Sequence, residues 1–307
     1  MPAAHDISTP PQQLDDVPGW FPPLDQVLFD WFLDRQEERA VHGDLLEIGV
    51  YMGKSAIFLG RHLGDAERYT VCDLFEGEAP DGANSAESRK SYSALTKQAF
   101  EQNYLSFHDE LPRVLFGPSS MVPTEVTPAS CRFVHVDASH LYEHVYGDIA
   151  AARDALVPKN GIVVLDDFRS EHTPGVSIAA WEAVLNRGLR PVCLSTQKLY
   201  GTWDDPEAVQ EDLLAMVRGR DDCHLSVQQA AGHRIIRVKS KKGMASPPFP
   251  KSRHYRAPAP APAPRPVAPV APATVTPARP AARLRARRLA KDLLPPVVTR
   301  AVRKARS

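Results

Sequence analysis

Apolar positions along the first three quarters of the chain alternate between two spacings. Short apolar runs bounded by Gly, Pro or Asp sit at Leu45–Ile48, Tyr69–Asp73, Arg113–Phe116, Phe133–Val136, Ile162–Leu165 and Arg190–Ser195. Their length and their β-branched and aromatic content predict buried strands. Between them apolar residues recur at helical spacing. Leu24, Val27, Leu28, Trp31 and Phe32 predict a helix from Pro22 or Pro23 to about Ala40, with proline tolerated in its first turn. Ala56, Ile57, Leu59 and Leu63 predict one starting near Gly53. Further helices are expected near Ser91–Tyr104, from about Tyr142 to Leu156, over Ser177–Asn186 and from Pro206 to Val217. Leu225–Gln229 and His233–Lys239 read as a hairpin across Ala230–Gly232. Strands alternating with helices predict a doubly wound α/β domain with a mostly parallel sheet.

The stretch that decides the chemistry is Asp44–Ser55, D-L-L-E-I-G-V-Y-M-G-K-S. A strand runs into a glycine turn and then a helix, whose N-terminus offers unpaired N–H groups to a ligand. Gly49 allows positive φ and a close approach to the backbone. A P-loop needs four residues between its glycines, and Gly49 and Gly53 enclose three; a dinucleotide fingerprint needs a glycine where Tyr51 stands. What remains is E-x-G-x-x-x-G-x-S, with Glu47 two residues before the first glycine. That carboxylate repels a phosphate and attracts a cation. S-adenosylmethionine, with an ammonium, a sulfonium and no phosphate, suits it.

The segment L-L-E-I-G-V-Y-M-G-K-S-A resembles the first motif of class I S-adenosylmethionine-dependent methyltransferases. It is most similar to the E-x-G-x-Y-x-G-x-S form of catechol O-methyltransferase-like enzymes and of bacterial small-molecule and sugar O-methyltransferases. The resemblance implies a Rossmann-like sheet with a reversed last strand, here Lys198–Trp203, and a helix before the first strand beside the cofactor cleft. It also implies that Glu47, Gly49, Tyr51, Gly53 and Ser55 hold the amino-acid end of the donor. Asp73, at the end of the second strand, suits a carboxylate that bonds ribose hydroxyls. Ser119, in the turn Gly117–Ser120, would by resemblance touch the adenine.

Cys131–Arg169 is the richest stretch. Phe133–Val136 ends in Asp137, and Ile162–Leu165 ends in Asp166–Asp167, so two neighbouring strands bring three carboxylates to one sheet edge. Three acids crowded together call for a cation, and oxygen ligands suit a hard divalent ion such as Mg²⁺. Asp137, Asp166 and Asp167 are therefore the expected metal site, with Asp137 also on the donor. Catechol O-methyltransferase-like enzymes carry a matching set, with Asn where this chain has the second Asp of the pair. His140, three residues after Asp137, stands where those enzymes have a lysine base and where the bacterial relatives of D-A-S-H-L-Y-E-H-V have histidine. It is the expected base for an acceptor hydroxyl. His135 lies inside its strand and reads as a core or cofactor-wall residue, and His144 as part of a solvated helix face. Tyr142 and Asp148 would fix the helix against its loop, and His172 would line the acceptor pocket.

Charge divides the chain. Thirty-seven Lys and Arg balance 37 Asp and Glu, but residues 243–307 hold 14 basic residues against Asp292 alone. They also hold 14 of the 29 prolines, many in A-P alternation. The expected organisation is a flexible arm over 1–19, the methyltransferase domain over 20–242, a Pro/Ala-rich linker over 243–280 and a basic tail over 281–307. A short helix is expected near Ala281–Leu294, in an otherwise disordered tail. Such a tail suits weak contact with anionic lipid or an acidic protein. No aromatic interleaving marks it for specific nucleic-acid binding. Residues 76–93, rich in Gly, Ser, Asp and Glu, are a candidate lid. The four cysteines lack metal or disulfide spacing, and no secretory signal or spanning segment is evident, so a cytoplasmic protein, peripheral to the membrane at most, is expected. Its partner would be a small molecule bearing a hydroxyl, and self-association is compatible with the pattern. Two other readings stay open. A nicotinamide-dependent oxidoreductase lacks its G-x-G-x-x-G, and a non-catalytic binding module would be organised by the tail.

Overall fold

The computed structural model describes residues 9–77 and 95–257. Nine strands form one sheet: β1 (Asp44–Ile48), β2 (Tyr69–Asp73), β3 (Arg113–Phe116), β4 (Cys131–Val136), β5 (Ile162–Leu165), β6 (Arg190–Leu194), β7 (Leu199–Thr202), β8 (Cys223–Ala230) and β9 (His233–Ser240). Their order is β3-β2-β1-β4-β5-β7-β6-β9-β8. β1 to β5 pair in parallel, while β7 runs antiparallel to both β5 and β6, the reversed strand expected of this class. The β8–β9 hairpin adds to the edge of β6 through β9, which runs parallel to it. Strand order reverses between β1 and β4, and the carboxyl ends of strands flanking such a reversal form a ligand crevice.

Seven α-helices cover the described part of the sheet: α1 (Pro23–Glu38), α2 (Lys54–Gly60), α3 (Lys97–Leu105), α4 (Val122–Glu125), α5 (Tyr142–Ala155), α6 (Pro174–Asn186) and α7 (Glu207–Arg218). Alternation along the strands divides the core in two. Leu45, Phe133, Val164 and Tyr200 meet α1, α2, α3 and α7 on one face; Leu46, Val134, Val163 and Leu165 meet α5 and α6 on the other. Leu28, Phe29 and Phe32 of α1 are essentially fully buried, and each such side chain contributes about 1.5–3 kcal/mol by leaving water.

Packing reaches beyond the limits that composition suggested. Leu14 and Val17, placed by sequence in a loose arm, are buried in the first core. Past Gly243, Phe249 stacks on Phe58 with ring centroids 5.4 Å apart, and the Ser252 and Arg253 N–H groups donate to the carbonyls of Gln12 and Ser106. The compact unit therefore runs on to Ala257. Residues 243–257 contain apolar anchors and no A-P alternation, which begins only at Ala257; the proline content alone drew the boundary too early. The candidate lid beyond Gly77, the start of the helix expected from Ser91, and the linker and tail from Pro258 onward lie outside the described residues.

Candidate active site

Register brings the strand ends level. Ile48 pairs with Val136, which pairs with Leu165, and the ladder continues one residue further: the Asp137 N–H donates to Ile48 O at 2.7 Å and the Asp166 N–H to Val136 O at 2.9 Å. Gly49, Asp137 and Asp166 thus stand side by side on the carboxyl rim. Gly49 has φ +84°, and a Cβ there would lie 2.0 Å from the Asp137 carbonyl oxygen. The first glycine is therefore required by the crossing of two chain segments as well as by any ligand. Gly53, with φ +91°, opens α2, and a Cβ on it would press on the Phe100 ring at 3.0 Å.

Asp73 holds this turn in place. Its carboxylate accepts from the N–H groups of Val50 at 2.8 Å, Tyr51 at 3.0 Å and Phe75 at 2.7 Å. Burial raises its pKa, and those three N–H bonds oppose the rise. Tyr51 itself takes φ +48° and stacks on Trp20, which is 73% exposed. Ser119, in a short 3-10 turn, is placed against the carboxylate of Asp148 on α5.

One residue beneath the rim lies a chain of buried ionisable groups. Glu47 is fully buried, and its carboxylate accepts from Ser55 Oγ, from the Tyr69 hydroxyl and, at 2.8 Å, from His135 Nδ1. His135 Nε2 is 3.3 Å from Lys198 Nζ and 3.8 Å from Asp166 Oδ2. The buried Lys198 ammonium donates directly to Asp166 Oδ2, while the other Asp166 oxygen accepts from the Asp167 N–H at 2.7 Å. From α1, Asp25 accepts the Tyr200 hydroxyl at 2.8 Å and keeps a second buried oxygen without a partner among the described residues.

Each group sets the charge of the next. Burial alone would raise Asp166, but Lys198 and His135 hold it well below the usual carboxylate range. Burial and Lys198 both push His135 down, yet its bonds to Asp166 and Glu47 raise it to about 9. Burial would lower Lys198, and the charges of Asp166, Asp137 and Asp25 reverse that. Asp137 has no such cation bonded to it: burial first, then the neighbouring Asp166 charge, push its carboxyl up to about 8.

The rim acids do not meet as a single trio. Asp137 shares one cluster with His135 and Asp166, and a second with His140 and Asp167; within each, the candidate ligand atoms lie within 4.8 Å of one another. His140 Nε2 is 2.9 Å from Asp167 Oδ2. The other Asp167 oxygen accepts from Ser170 Oγ at 2.6 Å, and although burial raises this carboxyl, those two bonds bring it below its ordinary value. The second cluster offers two carboxylates and an imidazole, a donor set that fits a divalent cation. The first fits one poorly, because Lys198 already neutralises Asp166.

Sequence reasoning brought Asp137, Asp166, Asp167 and His140 to one edge, where the structure also has them, but missed Lys198, Tyr69 and Asp25. A lysine at the head of the buried strand Lys198–Tyr200, and an acid in the first apolar turn of α1, were the available signals. Glu47 and Ser55, both expected at the amino-acid end of the donor, bond each other in the structure. Among the described residues, His172 makes no contact that assigns it to the site.

Residues 46–168 match a family model described as a methyltransferase domain. No curated protein matches the chain. Among solved structures, the chain is similar to the O-methyltransferase NovP at 20% identity, over 58% of this chain and 78% of that one, with a TM-score of 0.45. It is similar to the calicheamicin methyltransferase CalS11 at 20% identity, over 59% and 79%, with a TM-score of 0.44. A third is the O-methyltransferase TomG from Streptomyces achromogenes, at 19% identity, over 72% and 79%, with a TM-score of 0.32. The sheet order with its reversed β7 and the acid-and-glycine turn after β1 agree with that family match. The matched methyltransferase-domain segment runs from β1 to the loop after β5.

Proposed function

We propose that the protein transfers the methyl group of S-adenosylmethionine to a hydroxyl of a small molecule, such as a sugar or natural-product intermediate, with help from a divalent cation such as Mg²⁺. The observation that carries this reading is the cluster Asp137, His140 and Asp167 on the same rim as the glycine turn. A hydroxyl must lose its proton as its oxygen attacks the sulfonium methyl, and an imidazole beside two carboxylates is equipped to receive it.

Gly49, Tyr51 and Gly53 shape the donor pocket, Asp73 takes the ribose, Ser119 lies toward the adenine and Asp137 toward the methionine ammonium. Glu47 acts from beneath: it fixes Ser55 and His135 and thereby the turn above them. Asp137 and Asp167 would hold the cation, which when bound lowers the pKa of an acceptor hydroxyl. Asp166, paired with Lys198, keeps the Asp137 side of the rim in position. His140, oriented by the contact of its Nε2 with Asp167, receives the acceptor proton at Nδ1. Alignment of acceptor oxygen, methyl and sulfur supplies much of the acceleration in such a displacement.

The test is methyl transfer from labelled donor to a panel of hydroxylated small molecules, with and without Mg²⁺. His140→Gln is expected to lower turnover by about a hundredfold or more, the usual contribution of general base catalysis, with donor affinity unchanged. Transfer to an amine or carbon acceptor in preference to every hydroxyl, or a fully active His140→Gln, would contradict the proposal.

A further inference from the structure

The β8–β9 hairpin carries a second polar site. β9 runs parallel to β6 and meets it at Leu194↔Arg237, the last residue of β6. Residues after Arg237 therefore run past the carboxyl end of β6, on the same sheet edge as Asp137 and Asp166. Cross-strand register sets His224 opposite Lys239 and Ser226 opposite Arg237. Residues two apart on a strand share a face, so these four side chains lie together. With Arg169 and Thr196 they line a groove of about 240 Å³. Arg169 stands two residues beyond Asp167, on the loop after β5, and Thr196 follows β6.

Nothing acidic lines this groove, and among the described residues Arg169, Arg237 and Lys239 make no ion pair. Their neighbours behave otherwise. Arg234, on the same strand as Arg237, pairs with Glu211, and Arg220, just before β8, pairs with Asp222. Three permanent cations gathered round a concavity without countercharge repel one another and focus a positive potential on it. Two guanidinium forks, an ammonium and the hydroxyls of Ser226 and Thr196 are the donors that suit the non-bridging oxygens of a phosphate.

We propose that this groove binds a phosphate or diphosphate carried by the methyl acceptor, so that the acceptor is a phosphorylated small molecule held by its anion while its hydroxyl reaches the rim. The assignment rests on the methyltransferase reading above. It also explains a division of labour along one edge: carboxylates at β4 and β5 face the cationic donor, and cations at β6 and β9 face an anionic acceptor. The donor lacks phosphate, so the two ligands do not compete for the same end of the edge.

The test is a titration of inorganic pyrophosphate into the full chain, followed by phosphorus NMR, beside calorimetry with S-adenosylmethionine. Wild type should bind pyrophosphate saturably. Arg237→Ala and Lys239→Ala should each weaken binding by about tenfold, the loss expected for one charge-assisted contact. Arg234→Ala, whose side chain is paired with Glu211, should change neither affinity. Equal pyrophosphate affinity in wild type and both groove variants would overturn the proposal, since the anion would then be held elsewhere, as by the basic residues beyond Ala257. Pyrophosphate binding sensitive to these variants in a protein that ignores S-adenosylmethionine would leave an anion groove and overturn its link to methyl transfer, a failure of the functional reading rather than of the site.

Discussion

The rim of this protein is organised by one buried lysine. Lys198 bonds Asp166 and approaches His135, which in turn bonds Glu47. Removing one partner from a buried ion pair leaves the other uncompensated, so Lys198→Met should destabilise the fold by about 3–5 kcal/mol, measured by urea unfolding. A change below about 1 kcal/mol would mean that Asp166 finds its counterion elsewhere. Asp148 gives a pH-dependent counterpart. It is buried, one oxygen lacks a partner among the described residues, and burial raises its pKa to about 6, with Ser119 opposing. Because the folded pKa exceeds the ordinary value of 3.8, the folded state binds the proton more tightly than the unfolded chain. Stability from this group is present at low pH and is lost as pH rises from about 4 through about 6. Asp148→Asn should therefore match wild type near pH 4 and exceed it above pH 6 by about 3 kcal/mol, read from thermal unfolding across that window. Such couplings were illegible in the sequence. Lys198 and Asp166 are 32 positions apart, and only the reversal of β7 against β5 brings them together.

At the scale of elements, most of the fold was legible. Strands ended where an acid or glycine interrupted an apolar run, as at Ile48, Asp73, Val136 and Leu165, because a carboxylate needs polar partners that an apolar ladder lacks and a glycine turns the chain. The β8–β9 hairpin was equally visible from the two runs either side of Ala230–Gly232, and the structure gives Ala231 and Gly232 positive φ there. What the pattern hid was the second reason for a glycine. Gly49 and Gly232 both read as turn residues, yet a Cβ on Gly49 would meet the Asp137 carbonyl at 2.0 Å, and one on Gly232 would meet nothing within 4 Å. Gly232→Ala is expected to cost about 1 kcal/mol from its backbone conformation alone. Gly49→Ala should cost about 3 kcal/mol or more and displace Asp137, so that donor binding falls along with stability. Comparable stability losses in the two variants would remove the argument that the turn after β1 and the loop after β4 lock together. The pairing of a glycine with a carbonyl 88 residues away cannot be read from spacing, only from the register of β1 on β4.

For the whole molecule, the compact unit ends at Ala257, and every strand and site residue named above lies within it. Among the described residues no helix is long and apolar enough to cross a membrane. We propose that the basic segment beyond Ala257 serves weak contact with anionic lipid or an acidic protein. Deleting residues 258–307 should leave unfolding and donor affinity unaltered while reducing sedimentation with anionic vesicles; a shortened chain that unfolds or loses the donor would assign those residues to the domain itself. Composition exposed the change of character in this part of the chain but misplaced its onset, because Phe249 and Ser252 anchor a segment that prolines alone would have excluded. The central claim concerns the crevice between β1 and β4, and calorimetry with S-adenosylmethionine tests it most directly. The account predicts saturable binding of one donor per chain, weakened about tenfold or more in Asp73→Ala through the loss of a charge-assisted hydrogen bond. Absence of any binding heat or competition by S-adenosylmethionine in the folded wild-type protein would contradict it.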